Sequence, residues 1–110
     1  MLLLSTSILS HAGNSDNGRV SGIVVTETLA IFGLSSAAQP AGTCSYFGRY
    51  FSIDVSNPTN EKLYELLLQA KAEDYRVKIW FTDSLFDGAD QTNGCDIDTL
   101  AEVIGIGIQD

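Results

Sequence analysis

Histidine is nearly missing from these 110 residues, with His11 the single instance. Without an imidazole in the body of the chain, a Ser or Cys nucleophile has no ordinary base, so nucleophilic hydrolase chemistry is not expected. Basic residues are also scarce, six Lys and Arg against fourteen Asp and Glu, for a formal net charge of −8. Nucleic acid and anionic membrane both require a basic footprint, and neither is expected as a partner. No stretch reaches the eighteen or more apolar residues that a membrane-spanning helix needs. The two cysteines, Cys44 and Cys95, are too far apart for a C-x-x-C metal or redox motif. No metal site and no cofactor are expected, and length and composition suit one domain over 13–110.

The opening twelve residues, MLLLSTSILSHA, carry no charged side chain. They read as the back half of a secretory signal, a short apolar run followed by the small-x-small site Ser10-His11-Ala12, although the basic leading segment is missing. The other reading of 1–12 is a frayed N-terminal arm. Export would place the protein in a secreted or periplasmic setting, where a lone cysteine pair makes a disulfide; in a reducing compartment the same pair would be two buried thiols.

Further along, 14–18 (NSDNG) reads as a turn-rich lead-in to a strand over 19–27, bent at Gly22, with 29–34 continuing it or turning back. Residues 35–43 are loop. In 45–55 the alternation sets Phe51, Ile53 and Val55 on one face and Tyr50, Ser52 and Asp54 on the other, with Gly48 marking a bulge. Asn57 caps and Pro58 starts a helix over 58–73. Leu63, Leu66, Leu67 and Ala70 form one apolar stripe on it, and Tyr64, Leu68 and Ala72 a second, wider than one packing contact needs. A strand over 75–82 puts Val77, Ile79 and Phe81 inward and Trp80 on the polar face. The acidic loop 83–98 precedes a last strand over 100–108, where Ile104, Ile106 and Ile108 are expected inward and Gly105 and Gly107 leave the other face open to close approach. Strand, strand, strand, helix, strand, strand is the order of a mainly β, five-stranded Greek-key barrel of the OB type, an order that an α+β sandwich shares.

The stretch Gly18-Arg19-Val20-Ser21-Gly22-Ile23-Val24-Val25-Thr26 resembles the opening strand of the receptor-binding B subunits of the subtilase cytotoxin family, exported AB5 toxins. Leu63-Tyr64 on the helix and Val77-Lys78-Ile79-Trp80-Phe81 extend the likeness. The resemblance implies an OB-fold, a pentameric ring with the helices lining its pore, a separate catalytic chain, and binding of sialylated glycans at a shallow outer pocket. It carries a sugar-binding serine onto Ser21. A family aspartate falls on Asn17, with Asp16 adjacent, and an aromatic hydroxyl falls on Phe81, which has no hydroxyl.

Other groups have plainer readings. Asp87, Asp90, Asp96 and Asp98 sit among Gly and Asn, as turn residues do, and lack the spacing of a calcium loop. Trp80 either stacks on a sugar or is covered by a neighbouring subunit; with Tyr64 and Leu68 it is expected at a homo-oligomer interface. The alternative to a glycan-binding subunit is an exported interaction protein that keeps the barrel without the sugar site.

Overall fold

The computed structural model describes residues 14–35 and 39–109; the leader reading of 1–12 lies outside them. The elements run β1 (Asn14–Val25), β2 (Leu29–Leu34), β3 (Phe51–Asp54), α1 (Glu61–Glu73), β4 (Arg76–Thr82) and β5 (Ala101–Ile108). The five strands pair in a closed ring in the order β1-β2-β3-β5-β4, and only the β3–β5 contact is parallel. Among the described residues the arrangement is mainly β, with one α-helix between the third and fourth strands, which is the expected order. No described helix is long and apolar enough to cross a membrane.

Strand β1 starts five residues earlier than its sequence suggests. The NSDNG stretch is not a turn but a strand, with Asn14 through Arg19 paired to Phe81 through Arg76 of β4. Its residues have little intrinsic preference for strand, so the pairing with β4 overrides local propensity. The bend at Gly22 is present: the β1–β2 register shifts between Ser21 and Val24, and Gly22 has φ +59°, a conformation most side chains avoid.

The third strand is shorter than the alternation over 45–55 implies. Only Phe51–Asp54 pairs in the ring, while Tyr46 to Arg49 close a two-residue hairpin turn on themselves, Tyr46 N–H to Arg49 C=O at 2.9 Å and Arg49 N–H to Tyr46 C=O at 3.1 Å. Gly48 therefore belongs to a turn and not to a bulge.

Phe32, Phe51, Phe81, Ile53, Ile79, Val77 and Leu67 fill the ring and are essentially inaccessible. Helix α1 adds Leu67 and Ala70 to this core and packs on β1 and β5. Asn57 Oδ1 accepts the Thr59 N–H at 3.0 Å to start the helical segment, which opens as one 3-10 turn over Pro58–Asn60 before α1. Asp74, left-handed at φ +57°, ends it, and Arg19 reaches its carboxylate at 3.5 Å. Of the expected second stripe, Tyr64 leans on the core, whereas Leu68 and Ala72 are exposed.

A second cluster lies outside the ring, where the Cys44–Cys95 disulfide packs with Ile31 and Leu100. It covers the outer face of β2, which is why LAIFGL is apolar on both faces and shows no alternation. In β5 the expected inward set needs correction. A register shift opposite Trp80 and Phe81 turns Val103 inward and Ile104 out, leaving Ile104 53% exposed, and Ile108 at the strand's end is also exposed. Ile106 does pack on the core.

Candidate functional site

The sequence-expected sugar contacts are not brought together. Directly opposed residues of an antiparallel pair share a face, so Asp16, opposite buried Ile79, points inward, while Asn17, opposite Lys78, points out. One oxygen of Asp16, Oδ2, is buried without a hydrogen-bond partner. Four residues of extended chain, about 13 Å, separate Asn17 from Ser21. Phe81 is 0% exposed, its ring centroid 5.0 Å from that of Phe51. It offers a ligand no surface, and its expected place among the sugar contacts is corrected to that of a core residue.

What does converge on Ser21 is a different set of residues. Ser21 stands opposite Gly33 of β2, and the Tyr46–Arg49 turn folds across that pair. The approach is so close that a Cβ on Gly33 would lie 2.6 Å from the Gly48 carbonyl oxygen and 3.4 Å from Ser21 Oγ. Replacing Gly33 with alanine is therefore expected to lift the turn off the sheet. A cost of about 1–3 kcal/mol in urea unfolding should be accompanied by faster hydrogen exchange at the Arg49 amide, which closes the turn.

Arg49 ties the turn to β1. Its Nε donates to the Gly22 carbonyl at 2.5 Å and its Nη1 to the Phe47 carbonyl at 3.1 Å. A guanidinium has five N–H donors. Those left over meet no acceptor or carboxylate among the described residues. In a chain with formal charge −8, Arg49 is thus a half-buried cation held in orientation at Gly22, the residue that follows Ser21.

Trp80 is on the outer face as expected and 41% exposed. Its ring lies over Gly105 and Gly107, where added Cβ atoms would be 3.3 Å away, and Lys78 Nζ stands 5.2 Å from the ring centroid. The two glycines thus admit a close neighbour, and that neighbour is Trp80 itself. Leu68 is 42% exposed, whereas Tyr64 is half committed to the core.

The aspartates of 83–98 are largely engaged in local structure. Asp87 Oδ1 accepts the Gly42 N–H at 3.0 Å, Asp96 caps the short 3-10 turn Ile97–Thr99, and Asp90 takes the Thr92 hydroxyl and N–H. The Thr92 hydroxyl, followed by its N–H, holds the Asp90 carboxyl below the usual carboxylate range. A cleft of about 230 Å³ between Thr82 and Glu102 is rimmed by Asp83, Asp98 and Glu102, an acidic rim that repels an anion.

Sequence reasoning missed Arg49. The signal available was Phe47-Gly48, an X-Gly pair between Tyr46 and Arg49 with Tyr50 and Phe51 following, which fits a two-residue hairpin as well as a bulge. No family model matches the chain, and neither a curated protein nor a solved structure matches it. The functional reading therefore rests on the fold, the geometry and the motif resemblance.

Proposed function

We propose that this chain is the glycan-binding subunit of an exported assembly, an OB-fold barrel that takes an acidic, sialic-acid-type sugar on its outer face at Ser21 and Arg49. The observation that carries the reading is Arg49, oriented by the backbone carbonyls of Gly22, which follows Ser21, and of Phe47, with no acidic partner among the described residues. A guanidinium meets a carboxylate with two parallel hydrogen bonds, and one already fixed in place loses little entropy on binding. The neighbouring hydroxyl adds a donor and an acceptor for a sugar hydroxyl. The likeness of residues 18–26 to the B subunits of subtilase cytotoxin supports the same ligand class, and the Cys44–Cys95 disulfide fits an extracellular or periplasmic protein.

Single shallow sites bind sugars weakly, and a pentameric ring multiplies them by avidity. Exposed Trp80, Leu68 and Ile104 supply apolar surface for such an assembly. Catalysis in this reading belongs to a separate chain. The same exposed residues favour the second reading, an exported interaction protein without a sugar site, in which they meet a different protein.

The test is binding of purified protein to a glycan array with its mass measured by light scattering, followed by titration with a sialoside. Arg49→Gln is expected to weaken each site at least about tenfold, the worth of a hydrogen bond to a charged group, and Ser21→Ala several-fold with folding nearly unchanged. Added salt should weaken the wild type and leave Arg49→Gln little affected. A protein that binds no glycan, or an Arg49→Gln variant that binds as well as wild type, removes this reading in favour of the second.

A further inference from the structure

We propose that the cleft between the Phe47-Gly48 turn and the 91–96 loop is a second subsite for a neutral pyranose of the same glycan, with Phe47 as its stacking platform. The inference rests on the reading above, because the two subsites share one ligand and are joined by the bond from Arg49 to the Phe47 carbonyl.

Phe47 carries the argument. Both central residues of the turn have positive φ, Phe47 at +51° and Gly48 at +80°. Such turns take Asn, Asp or Gly at the first position, and a bulky residue there is strained. The surroundings nevertheless hold it firmly. Gln91 Oε1 accepts the Phe47 N–H at 3.2 Å, Ser45 Oγ accepts the Gly48 N–H at 3.2 Å, and the Tyr46 ring meets the Phe47 ring edge-on at 4.8 Å. Burial does not account for this investment, since Phe47 is 61% exposed. A strained residue kept in place by several independent contacts, with its apolar ring in solvent, is how a fold presents a side chain to a ligand.

The cleft has the chemistry of a sugar site. It measures about 460 Å³ and is lined by Tyr46, Phe47, Gln91, Gly94, Cys95 and Asp96. That is room for a small ligand. An aromatic face covers the C–H face of a pyranose. The Gln91 carbonyl is engaged by Phe47, which leaves its amide N–H groups as donors, and Asp96, which takes the Ile97 N–H through Oδ1, keeps acceptor capacity on its other oxygen. Donor and acceptor together suit sugar hydroxyls, which do both. The Asp96 carboxylate repels an acidic sugar, so charge sorts the two subsites: the acid at Arg49, the neutral ring at Phe47. The disulfide at Cys95 anchors the far wall.

Calorimetric titration with the methyl α-glycoside of N-acetylneuraminic acid and with sialyllactose, together with thermal melting, tests this. Wild type should bind sialyllactose roughly three- to tenfold more tightly than the monosaccharide. Phe47→Asn should abolish that preference and raise the melting temperature by a few degrees, since asparagine accepts the left-handed conformation. Phe47→Trp should retain the preference. If wild type binds the monosaccharide but shows no preference for sialyllactose, or if Phe47→Asn keeps the preference, the subsite is wrong while the acidic site stands. If neither sialoside binds wild type, both fall together.

Discussion

Replacing Cys44 and Cys95 together by alanine is expected to lower the unfolding free energy by about 4 kcal/mol, the chain-entropy value for a cross-link between residues 51 apart. Domains of this size have only about 5–15 kcal/mol in total, so the variant would sit near the threshold of folding. The loss should be felt locally before it is felt globally. The bridge joins the segment that leads into the Tyr46–Arg49 turn to the loop that carries Gln91, and both cysteines are buried with Ile31 and Leu100 on the outside of β2. Urea unfolding of the variant, and of wild type with a reductant, should give midpoints shifted down by the same amount. A shift worth less than about 1 kcal/mol would mean that the packing of this cluster holds the loops without the bond.

Phe51→Ala is expected to cost about 3–5 kcal/mol. Phe51 is completely buried and stands between two other rings, with centroids 5.5 Å from Phe32 and 5.0 Å from Phe81. It also sits in β3, whose parallel contact with β5 at Phe51–Ala101 and Ser52–Glu102 closes the ring of strands. Truncation therefore opens a cavity at the ring's narrowest pairing, where little backbone hydrogen bonding remains to resist. Phe51→Leu should recover more than half of the loss by refilling the volume. Because Phe51 and Phe81 touch, the double alanine variant should be non-additive, with an interaction energy of about 0.5–3 kcal/mol in a double-mutant cycle. A loss below about 1 kcal/mol for Phe51→Ala would contradict the placement of this ring at the centre of the core.

These residues also indicate where sequence was a sufficient guide. The inward faces of β3 and β4 follow from strict alternation of Phe51 and Ile53 and of Val77, Ile79 and Phe81, because each strand has one face on the core. The helix start is local chemistry at Asn57 and Pro58, and the cysteine pair has one bond it can make. Other features depend on residues far apart. The first half of β1 is strand only because β4 lies beside it, and Ile104 turns outward only because the register slips against Trp80 and Phe81. The same distinction governs the site. Asp16, Asn17, Ser21 and Phe81 are neighbours by motif, but alternation sends them to different faces. Arg49 meets Gly22 across 27 residues, a contact no local pattern announces.

The most direct measurement of acidic-sugar binding at Ser21 and Arg49 is an NMR titration of the labelled protein with the methyl α-glycoside of N-acetylneuraminic acid. The expected result is a saturable set of shifts confined to Ser21, Gly22, Gly33, Gly48 and the Arg49 amide and guanidinium signals, lost in Arg49→Gln and absent when the sugar lacks its carboxylate. Shifts centred instead on Trp80, Gly105 and Gly107, or no shifts at millimolar sugar, would contradict it.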